Sequence, residues 1–193
     1  MLPVVRRGLL GGTFDPPHLA HLVAGEVAYR DLALDVVTFI PAGYPWQKAD
    51  GRVTSPEDRW QMTSLAVEGV SYFEADDREV RRGGWTFTFD TLAEYPEEEE
   101  LILILGSDAA KGITTWHRWE EVLDRADLAV APRPGSSRED VEQAVPRPFT
   151  WLDMPTLDVS GTMLRDRAGS GLSIRFMVRE NVWQYIGRQG LYG

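Results

Sequence analysis

Short apolar runs alternate with amphipathic stretches along the whole chain, and each kind carries the period of a different element. Arg7 to Leu10 is a brief apolar run ending in Gly11-Gly12, and Asp35 to Ile40 is a second one stopped by Pro41. Runs of this length bounded by turn residues read as buried strands. Between them, Leu22, Val23, Val27 and Ala28 recur at helical spacing within Leu19 to Tyr29, which predicts a first β-α-β unit. Ser55-Pro56-Glu57-Asp58 then marks a helix start: Ser at the N-cap accepts a backbone N–H, Pro fits the first turn, and Asp three residues on completes a capping-box-like pair. That helix should run to about Gly69. A strand near Tyr72 to Glu74, a helix over Phe89 to Tyr95 halted by Pro96, and a strand over Leu101 to Leu105 ended by Gly106-Ser107-Asp108 form the next unit. Trp119 to Arg125 reads as a helix and Leu128 to Ala131 as a strand, followed by a Pro/Gly/Ser surface loop from Pro132 and a last strand at Thr150 to Leu152. The tail carries a short helix near Thr162 to Arg167 and a longer one from Ser173 to Ile186. Strands alternating with helices predict a parallel sheet covered on both faces. The expected fold is one doubly wound, Rossmann-like α/β domain over residues 1–193, helical from about residue 160, with ligands beyond the carboxyl ends of the strands at the switch point.

Composition narrows the function classes. Of 193 residues, 20 are Lys or Arg and 30 Asp or Glu, so the net charge is −10, and 43% are hydrophobic, enough for one packed core. Leu101 to Leu105 is far short of the ~20 apolar residues of a membrane span, and the N-terminus has no signal-peptide pattern. With no Cys at all, disulfides and thiolate metal sites are excluded. A cytoplasmic protein with no membrane partner is expected. The acidity also argues against a nucleic-acid partner, because gripping a phosphate backbone needs clustered Lys and Arg. An anionic small ligand would need a locally positive site within this negative protein. Glu97 to Glu100 is read as a solvated loop.

Candidate chemistry concentrates at the first strand-to-helix junction. His18 and His21 lie three apart at the start of the first predicted helix, so they share a face, and Gly11-Gly12-Thr13-Phe14-Asp15-Pro16-Pro17 precedes them. Two imidazoles and the free N–H groups of a helix start then meet beyond a strand end, which suits an anion such as phosphate. The paired glycines let backbone approach a ligand closely. Neither a Walker loop nor a G-x-G-x-x-G fingerprint occurs. A structural helix cap and a metal site are the alternatives, the latter weakened because zinc peptidases space their His at i, i+4 around a Glu.

GGTFDPPHLAH resembles the N-terminal signature of the nicotinate-nucleotide adenylyltransferases, members of the nucleotidylyltransferase superfamily with its (H/T)-x-x-H motif. Further pieces follow in family order: Gly106-Ser107-Asp108 is similar to the family's G-A-D, Trp116 follows at the expected distance, Arg133-Pro134-Gly135 resembles its R-P-G turn, and Val159-Ser160-Gly161-Thr162-Met163-Leu164-Arg165 its I-S-S-T-x-I-R segment. The ending from Tyr185-Ile186 to Gly190-Leu191-Tyr192 is also similar. Four departures stand out: Pro45-Trp46-Gln47-Lys48 where the family has P-P-H-K, Ala20 for the Gly before the second His, Gly161 for the second Ser, and Phe87 for the Tyr of S-Y-T.

The resemblance implies transfer of the adenylyl group of ATP to nicotinate mononucleotide, giving nicotinate adenine dinucleotide and pyrophosphate in NAD biosynthesis. Implied catalytic residues are His18, His21 and Arg165. The implied ATP side comprises these three with Gly11, Gly12, Thr13, Phe14, Lys48, Gly106, Asp108, Ser160 and Thr162. The implied nicotinate mononucleotide side comprises Thr86 and Thr88 near the ring carboxylate, Trp116 stacked on the pyridine, and Arg133 near the phosphate. Mg²⁺ is expected to arrive with ATP, with no dedicated protein metal site. Taken alone, Trp116 beside Trp119 reads as core, Arg165 as a surface charge, Thr86 and Thr88 as strand residues, and His117 as a bystander. Two other functions compete: the same transfer to nicotinamide mononucleotide or another phosphate acceptor, and a nucleotide-binding regulator without catalysis. Homo-oligomerisation stays open.

Overall fold

The computed structural model describes residues 4–44 and 53–193. Six strands form one parallel sheet: β1 (Arg6–Gly12), β2 (Val36–Pro41), β3 (Phe73–Ala75), β4 (Glu100–Gly106), β5 (Ala126–Ala131) and β6 (Thr150–Trp151), in the order β3-β2-β1-β4-β5-β6. This is the doubly wound order, in which the winding reverses between β1 and β4 and a crevice opens beyond their carboxyl ends.

Alternation along the strands sorts the core into two layers. Leu101, Leu103 and Leu105 of β4, with Leu128 and Val130 of β5, face one way. They pack against α4 (Thr88–Ala93), α5 (Ser107–Lys111), α6 (Trp119–Arg125) and α7 (Arg138–Ala144) through Leu92, Ala110, Val122 and Val141. Ile102 and Ile104, with Val37 and Phe39 of β2, face the other way onto α1 (Leu19–Asp31) and α2 (Pro56–Val67). Small residues set the distance there: a Cβ at Gly25 of α1 would lie 2.9 Å from the Phe39 ring. A third apolar layer joins Met62 and Ala66 of α2 to α8 (Gly161–Gly169) and α9 (Glu180–Gln189) through Leu164, Val182 and Ile186. This is the helical C-terminal extension expected from the sequence.

The predicted strands and most helices hold to within a few residues, and Ser55 caps α2 by accepting the Asp58 N–H at 3.0 Å. Four readings need correction. The C-terminal helix starts at Glu180, not Ser173, and reaches Gln189. The preceding residues are bent to cap other helices: the Met177 carbonyl accepts the Leu19 N–H at 3.0 Å, and Arg179 donates to the Ala66 and Glu68 carbonyls at the end of α2. Gly106-Ser107-Asp108, read only as the end of the strand, instead opens a helix, Ser107–Lys111, directly at the strand end. Short helices also form at α3 (Arg78–Arg82) and α7, the latter behind a Ser137–Asp140 capping box.

Candidate active site

A cavity of about 590 Å³ opens at the switch point. Its floor is the carboxyl end of β1, where Gly11 and Gly12 turn into Thr13 and Phe14. A Cβ at Gly11 would meet nothing within 4 Å, so this backbone borders open space rather than packed neighbours. Phe14 takes a left-handed conformation with φ 50° and turns its ring into the core, edge-on to His21 at 4.9 Å and tilted on Phe39 at 5.9 Å. Phe14 therefore offers the cavity backbone, while its side chain orders the loop.

The two imidazoles stand at the start of α1. Their rings stack at a centroid distance of 3.7 Å. The His18 backbone N–H donates to Nδ1 of His21 at 3.2 Å, so that nitrogen carries no proton and a neutral His21 holds its own on Nε2. His18 is 1% exposed and its Nδ1 has no hydrogen-bond partner. Burial, reinforced by the positive charge of Arg133, lowers its pKa to about 3, so without ligand the ring is neutral at physiological pH. An orphaned nitrogen buried beside a cavity is a costly arrangement that an incoming anion would relieve by making the protonated ring favourable.

Cations come from the other half of the sheet. Arg165 of α8 donates from Nη1 to the Asp15 carbonyl at 2.7 Å, lies 3.7 Å from the Asp15 carboxylate, and donates from Nη2 to Thr162 Oγ1 at 3.3 Å. Arg133, beyond β5, donates to the Val159 carbonyl at 3.2 Å and runs its side chain over Gly106, where a Cβ would lie 3.2 Å from Nε. Ser160 caps α8 by accepting the Met163 N–H at 3.2 Å. Gly161, the departure from S-S-T, sits where a Cβ would be 2.8 Å from the Asp15 carbonyl oxygen, so the bare backbone brings α8 close to the β1–α1 loop.

Every residue singled out from the sequence within the described segments lines this one cavity: His18, His21 and Arg165, the Gly11-to-Phe14 turn, Gly106 and Asp108, and Ser160 and Thr162. Thr86, Thr88, Trp116 and Arg133 line it as well. Lys48, with the rest of Pro45-Trp46-Gln47-Lys48, lies outside the described residues. His117, taken as a bystander, also borders the cavity, its ring 4.7 Å from Phe87.

Three further residues hold the site together, and of these only Asp15 lay within a segment singled out from the sequence. Arg59 of α2 is 1% exposed and donates to the carbonyls of Thr13, Ala42, Gly43 and Thr54, stapling the loops beyond β1 and β2. Asp15 accepts from Thr54 N and Oγ1 at 3.1 and 2.7 Å and from the Tyr192 hydroxyl at 2.6 Å. Glu79 lines the cavity beside Thr86 and accepts from Thr91 Oγ1 at 2.6 Å. Only their surroundings in the fold mark Arg59 and Glu79, because a lone Arg or Glu in sequence reads as a surface charge.

Paired imidazoles at a helix start, glycine backbone bordering open space and two arginines converging on one crevice define a nucleotide-handling α/β protein of the nucleotidylyltransferase class. Residues 9–167 match the Cytidylyltransferase-like family model. The chain is 41% identical to a probable nicotinate-nucleotide adenylyltransferase of Desulfitobacterium hafniense (strain Y51), over 98% of this chain and 97% of that protein. It is 38% identical to the one of Corynebacterium jeikeium (strain K411), over 95% and 98%. It therefore belongs to the nicotinate-nucleotide adenylyltransferase family. The fold matches the structure of Plasmodium falciparum nicotinic acid mononucleotide adenylyltransferase complexed with NaAD, with a TM-score of 0.80 at 19% identity over 97% of each chain.

Proposed function

We propose that this chain is a single-domain cytoplasmic enzyme that transfers the adenylyl group of ATP to nicotinate mononucleotide, releasing pyrophosphate. The observation that carries the reading is the convergence of the family motifs, 150 residues apart at Asp15 and Arg165, on one cavity at the switch point.

The acceptor phosphate attacks the α-phosphorus of ATP in line as the bond to the β-phosphate oxygen breaks, so the residues have to position and neutralise rather than form a covalent intermediate. His21, with its proton on Nε2, donates toward the reacting phosphates. His18 takes up a proton as their charge arrives, and the N–H groups at the start of α1 add to the same field. Arg165 and the hydroxyls of Ser160 and Thr162 hold the leaving pyrophosphate, with Lys48 assigned there by motif. Gly106 and Asp108 border the nucleoside of ATP. On the acceptor side, Trp116 stacks on the pyridine ring, Thr86 and Thr88 face its carboxylate, and Arg133 meets its phosphate. Mg²⁺ enters as part of the ATP substrate, where it neutralises phosphate charge. The test is acceptor-dependent release of pyrophosphate from ATP and Mg²⁺: nicotinate mononucleotide should support it, whereas release without any acceptor would contradict the reading.

A further inference from the structure

The acceptor side of the cavity contains a carboxylate where the proposed ligand is itself an anion. Glu79 of α3 borders the cavity together with Thr86, Thr91 and Trp116. Thr91 donates its hydroxyl proton to Glu79 Oε1 at 2.6 Å. An ionised carboxylate only accepts, and a hydroxyl has a single proton. While Glu79 is charged, Thr91 therefore spends its proton on Glu79, and the pair has only lone pairs left to offer the cavity. That suits a carboxamide N–H₂ and opposes a ring carboxylate.

We propose that Glu79 is the specificity-setting residue of the acceptor pocket: it takes up one proton from solvent when the anionic pyridine ring binds. The new Glu79 O–H then donates to the Thr91 oxygen, and the Thr91 hydroxyl is freed to donate its proton to the ligand carboxylate. One O–H bond forms on Glu79 and no other bond changes. Desolvation already raises the pKa of Glu79 above the usual carboxylate range, and a second anion beside it acts in the same direction. The other charges facing Glu79 are Arg82 and Asp76 from its own segment and Arg59 from α2, and the His117 ring borders the same cavity. This inference rests on the acceptor reading above.

The experiment compares kcat/KM for nicotinate and nicotinamide mononucleotide across pH 6 to 9. Taking the ratio cancels every titration common to both, including that of the acceptor phosphate. In the wild type the nicotinate-to-nicotinamide ratio should fall with pH, approaching about tenfold per unit where one proton is exchanged, and in Glu79→Gln it should be flat. A flat ratio in the wild type, or a slope that survives Glu79→Gln, overturns the proposal. Calorimetry of nicotinate mononucleotide binding to the wild type in two buffers of different ionisation enthalpy needs no variant. It should register proton uptake absent with nicotinamide mononucleotide, and equal uptake for both overturns the idea. Failure of the acceptor reading is distinct, because neither mononucleotide would then yield a dinucleotide, and both ideas would fall.

Discussion

The hydroxyl of Tyr192, near the C-terminal end, donates to Oδ1 of Asp15 at 2.6 Å, joining the last residues of the chain to the loop that follows β1. Asp15 is 3% exposed, and the same carboxylate holds Thr54 and lies beside Arg165. Burial and the neighbouring carboxylate raise the phenol pKa, so the proton stays on Tyr192. Tyr192→Phe removes one donor and leaves a buried carboxylate oxygen short of a partner. The expected loss is about 1–3 kcal/mol of stability, read as a lower urea midpoint, and an unchanged midpoint would show the bond to be idle.

The stacked pair His18 and His21 should dominate turnover. If they stabilise charge on the reacting phosphates, His18→Ala and His21→Ala should each lower kcat by two or more orders of magnitude, on the order of 3 kcal/mol. Circular dichroism should show both folded. Near-normal turnover in both variants would remove the phosphate-site assignment.

His18 also makes stability depend on pH. Its imidazole binds a proton near pH 6.5 in the unfolded chain but only near 3 in the unliganded fold. Between these values the unfolded state carries the extra proton, so stability falls as pH is lowered from 6.5 toward 3, by about 1.4 kcal/mol per pH unit from this group. Urea titrations of wild type and His18→Gln between pH 4 and 6.5 separate its contribution from that of the carboxylates. Parallel pH dependences would mean that His18 is not held neutral.

The alternation of strands and helices and the location of the site were legible because local signals agreed with one another. Gly11-Gly12 before two His at helical spacing, and Ser-Gly-Thr opening a helix, are terminus chemistry that keeps its meaning wherever the chain folds. The C-terminal helix start was misjudged because Ile174 and Val178 keep a helical spacing and are buried, yet the Met177 carbonyl between them is spent capping α1 and the Arg179 side chain just after them caps α2. α7 was passed over although Ser137-x-x-Asp140 is a capping signal, because the Pro and Gly before it read as loop. Arg59 and Glu79 could not be found, since their partners lie on other segments and their burial is a tertiary fact, and the role of Asp15 as a buried acceptor was hidden although its segment stood out.

The central claim is tested most directly by identifying the product. Purified protein incubated with ATP, Mg²⁺ and nicotinate mononucleotide should form nicotinate adenine dinucleotide and pyrophosphate in equal amounts, both quantified by mass spectrometry. Phosphopantetheine in place of the mononucleotide should give no adenylylated product. A dinucleotide that fails to appear with nicotinate mononucleotide, or an adenylylated product formed only from the other acceptor, would contradict the account.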